Sequence, residues 1–129
     1  MGVLWGLLHY GTPSDYAWDV VSGISAGAIN TGGIATWATG TEYEMTEFLS
    51  EQWAELSSPD IWKLRPGTPK DLLFNEPSFL DDSPALQTIR DIMAYKGSIA
   101  RKFVVTAVDA NTGDYVAMTQ KDTTYEDLA

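Results

Sequence analysis

The sequence predicts an α/β fold, a three-layer sandwich with a mixed sheet flanked by helices and a nucleophile elbow after a central strand. Three observations carry that prediction. Trp18-Asp19-Val20-Val21-Ser22 is a short β-branched run and reads as a buried strand. Gly23-Ile24-Ser25-Ala26-Gly27 follows it directly in the pattern G-x-S-x-G, and Ala26-Gly27-Ala28-Ile29-Asn30 then reads as a small-residue helix packed closely on a sheet. Further on, Lys102 to Val108 and Tyr115 to Thr119 read as two strands around a turn at Asn111-Thr112-Gly113-Asp114. That hairpin makes the sheet mixed.

Each element has its own signal. Residues 2–10 read as a short helix that ends at the breaker Gly11-Thr12-Pro13. The helix after the elbow is expected to run to about Ala38, with Gly40 as its stop. Gly32 and Gly33 weaken it but permit close approach to the sheet. Thr41 and Glu44 match a capping box that opens a helix to about Leu56. Met45, Phe48, Leu49, Trp53 and Leu56 share one of its faces. That stripe suits core packing, and a lipid-facing role is the alternative. The acidic residues of 42–55 read as a solvated helix face.

Residues 57–82 carry Pro59, Pro66, Pro69 and Pro77 and little periodicity, so they read as a long irregular connection. Trp62, Leu72, Leu73, Phe74 and Phe79 make it apolar enough to pack on the domain. Ser83-Pro84 reads as an N-cap and first-turn proline of a helix to about Tyr95, stopped at Gly97.

Composition limits the function classes. One domain fits in 129 residues, and the 44% apolar content can fill its core. The net charge of −10 argues against nucleic acid, which needs clustered Lys and Arg, and against simple docking on anionic lipid. It leaves open an uncharged lipid entering an apolar groove. No stretch of about twenty apolar residues suggests a membrane span, and the apolar opening Met1 to Leu8 lacks the basic flank of a signal peptide. The absence of cysteine removes disulfides, thiolate catalysis and sulfur-ligated metal, and suits a cytosolic protein. The single histidine, His9, makes a histidine-rich metal site impossible, so neither metal nor cofactor is expected.

The candidate catalytic residue is Ser25. In a nucleophile elbow the serine stands on a sharp strand-to-helix turn, and a Cβ at either flanking glycine, Gly23 or Gly27, is expected to collide with neighbouring backbone. The bland alternative is a tight turn whose serine merely caps the helix. A serine hydroxyl needs a base. The order Ser, acid, His cannot be assembled from these residues, because no histidine follows Ser25 among them. The base is therefore a carboxylate or lies outside this chain. Asp109 ends a strand on the sheet side where α/β sites gather, yet the Asn-Thr-Gly-Asp turn explains it as well. Asp19 reads as a structural hydrogen-bonding partner, and His9 as a surface or helix-packing residue.

Asp19 to Asn30 closely resembles the elbow of the patatin-like phospholipases. Gly2 to Leu8 is similar to that family's first helix, Leu80 to Leu86 to the segment before a later helix, and Phe103 to Asp114 to a central strand and turn. The resemblance implies an α/β sheet sandwiched by helices and a Ser-Asp dyad that cleaves acyl esters of lipids without histidine. It implies Ser25 as nucleophile, a lipid or acyl-ester substrate, no cofactor, and a cytoplasmic or membrane-peripheral setting with peripheral membrane contact open to it. It also implies two parts with no counterpart here, a glycine-rich oxyanion loop before the first helix and a late Asp-Gly-Gly or Asp-Gly-Ala motif that holds the dyad Asp. Residues 1–129 are accordingly expected to be a partial catalytic domain, essentially inactive alone. The alternative is a catalytically dead interaction or lipid-carrier module that keeps the fold.

Overall fold

The computed structural model describes residues 1–67 and 80–123. Helix α1 (Gly2–Tyr10) and a 3-10 turn (Pro13–Tyr16) precede strand β1 (Val20–Ile24) and helix α2 (Ala26–Ala35). Helix α3 (Glu42–Glu55), the single turn α4 (Ser58–Ile61) and the short strands β2 (Lys63–Leu64) and β3 (Leu80–Asp81) follow. Helix α5 (Ser83–Ala94) and strands β4 (Lys102–Val108) and β5 (Tyr115–Thr119) complete the order. The expected apolar packing of Leu72, Leu73, Phe74 and Phe79 lies outside the described residues.

The sheet is mixed. Its order is β1-β4-β5, with β1 parallel to β4 and β4 antiparallel to β5. Parallel pairing requires a long crossover, and α2 begins it on the way from β1 to β4. Residues alternate between the two faces. Phe103 and Val105 are buried against Ala35 of α2, with Val21 and Ala28 packed beside them. The opposite face bears Val20, Ile24, Val108 and Tyr115, each more than half exposed. β1 was expected at the centre, but it is an edge strand among the described residues, because only β4 pairs with it. Antiparallel β2 and β3 form a separate two-stranded ribbon.

The second core cluster lies between helices, where Ile34, Trp37, Met45 and Leu49 are buried together. The stripe on α3 therefore divides. Met45 and Leu49 are core, while Trp53 is 39% exposed. α1 is held to α3 by polar contacts as well. The indole N–H of Trp5 donates to Glu47 Oε1 at 2.6 Å, and His9 Nε2 lies 2.9 Å from the same oxygen. His9 stacks between Trp5 and Tyr43, so it is a helix-packing residue.

Three boundaries differ from the sequence reading, each for a local reason. β1 starts at Val20, two residues late, and runs through Ile24 into the elbow motif. α2 stops at Ala35 instead of Ala38, because other groups take its last carbonyls. Thr36 Oγ1 donates to Gly33 O, and the Ala100 and Arg101 amides both donate to Ala35 O. Gly40, at φ +93°, turns the chain toward α3. The Thr41–Glu44 capping box does not form. The Thr41 hydroxyl donates backward to Ala38 O at 2.7 Å, and Glu42 Oε2 accepts the Gly40 N–H at 2.8 Å. On α5 the cap is Asp82, and Ser83 is the first helical residue.

Glu42 departs most from expectation. It is buried, not on a solvated face, and is 3.0 Å from Arg101 Nη1 with both side chains almost fully enclosed. Arg101 also donates to the carbonyls of Trp37, Trp18 and Ala38. Glu42 Oε1 also accepts the Trp18 N–H at 3.2 Å. One ion pair thus ties together the entry to β1, the exit of α2, the start of α3 and the start of β4. A guanidinium at the end of α2 also suits the negative pole of that helix.

Candidate active site

Ser25 occupies the single residue between β1 and α2. Its backbone is at φ 55°, ψ −128°, and it is the sole non-glycine residue with positive φ among those described. A side chain rarely accepts this region, and holding it there costs about 1–3 kcal/mol. The surroundings impose the strain. β1 is locked in register with β4 through Gly23↔Val105 and Ile24↔Thr106. α2 must begin at once, and its Ala28 N–H donates to Ser25 O at 2.8 Å. Extended strand and helix meet at one residue, so that residue takes the whole reversal.

Gly23 makes the reversal possible. A Cβ there would overlap the backbone carbonyl of Gly27 and the Thr31 hydroxyl. The expectation of an equal clash at Gly27 is not met, because a Cβ at Gly27 would point into open space. The close approach is one-sided: Gly27 presents its carbonyl to the bare α-carbon of Gly23. Ile24 is 55% exposed on the open face of the sheet, and Ala26 begins α2.

The turn leaves the Ser25 side chain exposed, and its hydroxyl has no hydrogen-bond partner among the described residues. It does not cap α2. The amides of Ala26 and Gly27 come before the first helical hydrogen bonds, so they have no acceptor within α2. An oxyanion formed beside Ser25 would meet the Ala26 N–H at the positive end of the helix.

The other sequence candidates go elsewhere. Asp109 Oδ1 accepts the Asn111 N–H at 2.8 Å and the Thr112 N–H at 3.4 Å, so its carboxylate closes the β4–β5 turn. Asp19 is exposed on the approach to β1 and shows no hydrogen bond among the described residues. His9 is committed between α1 and α3. No group of three or more His, Cys, Asp or Glu among the described residues could hold a metal ion.

A feature invisible to motif reading supports the turn from behind. The Trp53 indole N–H donates to Asn30 Oδ1 at 2.7 Å, and Asn30 Nδ2 donates to Ala26 O at 3.2 Å. This chain of bonds runs from α3 to the first helical residue after Ser25. Trp53 was readable as one member of a stripe, but its partner 23 residues earlier was not. Trp53 and Asn30 also line an apolar groove between α2, α3, α4 and α5. One wall hangs on α4, whose Asp60 carbonyl accepts the Thr88 hydroxyl of α5 at 2.9 Å. The Ser57 hydroxyl and amide both donate to the Asp60 carboxylate and hold it below the usual carboxylate range.

The fold and the turn together define an α/β protein that carries an exposed, strained serine between a parallel strand and its crossover helix. The family model of the patatin-like phospholipases matches residues 1–128, and the chain belongs to that family. No curated protein and no solved structure matches it. No helix among the described residues is long and apolar enough to cross a membrane.

Proposed function

We propose that the protein is a serine lipid acyl hydrolase, of phospholipase or acylglycerol lipase type, with Ser25 as its nucleophile. The observation that carries this reading is the Ser25 backbone at φ 55°, ψ −128°, which exposes the hydroxyl at a strand-to-helix turn. A residue that only capped α2 would need no such strain, and Ser25 makes no cap bond. Family membership supports the lipid substrate class.

The chemistry follows from the groups present. A carboxylate base takes the hydroxyl proton as Ser25 Oγ attacks the ester carbonyl carbon. The carbonyl oxygen becomes an oxyanion, met by the Ala26 N–H. Collapse breaks the bond to the leaving alkoxide, which receives the proton, and leaves an acyl-serine. Water then attacks the acyl carbon by the same route and frees the acid. Family membership implies that this carboxylate is an aspartate acting without histidine, and His9 is occupied between α1 and α3. Among the described residues no carboxylate bonds to Ser25. A missing base costs about 10² to 10⁴ in rate.

Ser25→Ala tests the assignment in the protein expressed from its natural gene. Alanine deletes only the hydroxyl, so kcat on p-nitrophenyl esters and on phospholipid falls by about 10⁴ or more while the circular dichroism spectrum is unchanged. Turnover at the parent level would remove Ser25 from the mechanism. No turnover in the parent protein would instead leave the alternative of a catalytically dead binding or lipid-carrier module that keeps the fold.

A further inference from the structure

We propose that Asn30 and Trp53 are positioning residues for Ser25, joined in a chain of hydrogen bonds that holds the first turn of α2 in place. The inference rests on the reading of Ser25 as nucleophile and adds what keeps its strained turn from relaxing. The Trp53 indole N–H donates to Asn30 Oδ1 at 2.7 Å, and Asn30 Nδ2 donates to Ala26 O at 3.2 Å. The two ends dictate the residue type between them. An indole N–H only donates and a carbonyl oxygen only accepts, so the bridging side chain must accept on one side and donate on the other. A carboxamide does both. Leucine does neither, and aspartate would set a carboxylate against the Ala26 carbonyl.

The start of α2 needs such a tie. The helix begins on Ser25 at φ 55°, has no side-chain cap and carries three glycines in its ten residues. Strain at one residue lasts only where its neighbours over-determine the backbone. Pairing with β4 fixes the chain up to Ile24, and the Asn30 bond fixes it from the far side. α3 is a firm anchor for that bond, because Met45 and Leu49 are buried in the core between the helices. In a regular helix Ala26 O already accepts the Asn30 backbone N–H, so the side chain adds a second donor to the same carbonyl. That carbonyl shares its peptide with the Gly27 N–H, and helical N–H groups point toward the helix start, where Ser25 stands. The indole bond polarises the Asn30 carboxamide and strengthens its donor, and the same effect passes through the Ala26–Gly27 peptide to the Gly27 N–H. Trp53 thus acts on the surroundings of the serine without touching it.

The test compares Trp53→Phe, Asn30→Leu and their double variant in the protein expressed from its natural gene, by hydrolysis of p-nitrophenyl esters. Trp53→Phe removes the donor and keeps an aromatic ring. Each single variant should lower kcat about tenfold with KM within about twofold of the parent, because a displaced turn spoils the reacting geometry and not substrate uptake. The double variant should be no slower than Asn30→Leu, since one chain breaks only once, whereas independent contributions would multiply to about a hundredfold. Asn30→Asp still accepts from the indole but cannot donate to Ala26 O, and should fall as far as Asn30→Leu. Nuclear magnetic resonance gives a readout that needs no turnover: the Gly27 amide nitrogen shift should move in the same direction in Trp53→Phe and Asn30→Leu. A raised KM with kcat intact, multiplied effects in the double variant, or an unmoved Gly27 amide would each overturn the proposal. Loss of turnover in Ser25→Ala beside an unchanged kcat in the other variants would discard the positioning role and keep the nucleophile. Turnover that survives Ser25→Ala would discard the nucleophile and the positioning role with it, while a moved Gly27 amide would keep the bond chain.

Discussion

Arg101→Met is expected to lower the unfolding free energy by about 3–5 kcal/mol. The methionine stem fills much of the same space, so the loss is electrostatic. Glu42 would stay buried with its charge uncompensated, holding only the amides of Trp18 and Gly40. The carbonyls of Trp37, Trp18 and Ala38 would each lose a donor that water cannot easily replace. Urea denaturation of the parent and variant gives the number. The double variant Glu42→Met/Arg101→Met should recover part of the loss, because an enclosed pair replaced by apolar groups is often close to neutral. A single-variant loss under about 1 kcal/mol would mean that the pair is solvated in solution.

Gly23→Ala should be worse, with a loss above about 4 kcal/mol or no folded protein. Its added methyl would overlap the Gly27 carbonyl and the Thr31 hydroxyl, and the first of these is backbone in a helix already fixed by its neighbours. Relief would require α2 to move off β1, which carries the core contacts of Val21 and Ala28 with it. Gly27→Ala is the matched comparison. Its Cβ meets nothing, so the substitution should be neutral or stabilise by up to about 1 kcal/mol through lower unfolded-state entropy. Equal effects at the two glycines, measured by thermal melts, would contradict the one-sided crowding of the turn.

The contrast between these glycines shows how far the sequence could be read. The motif located the turn because strand, serine and helix signals are local, and β4, β5 and their hairpin were placed correctly for the same reason. It could not say which glycine is crowded, since that depends on the angle at which α2 leaves the sheet. Glu42 was misread because a glutamate in a run of acidic residues looks solvated until its partner, 59 residues away, is brought against it. Asn30 and Trp53 were missed for the same reason. Asp109 was legible both ways, and its two bonds to turn amides decided in favour of the turn.

Intact-protein mass spectrometry after treatment with an alkyl fluorophosphonate asks directly whether Ser25 is a nucleophile. Attack by its oxygen forms a phosphorus–oxygen bond and expels fluoride, leaving one stable adduct. In the protein expressed from its natural gene, the prediction is a single phosphonyl group per chain, mapped by proteolysis to the peptide containing Ser25 and lost in Ser25→Ala. No adduct on a protein that hydrolyses esters, or an adduct on another serine, would contradict Ser25 as the catalytic residue.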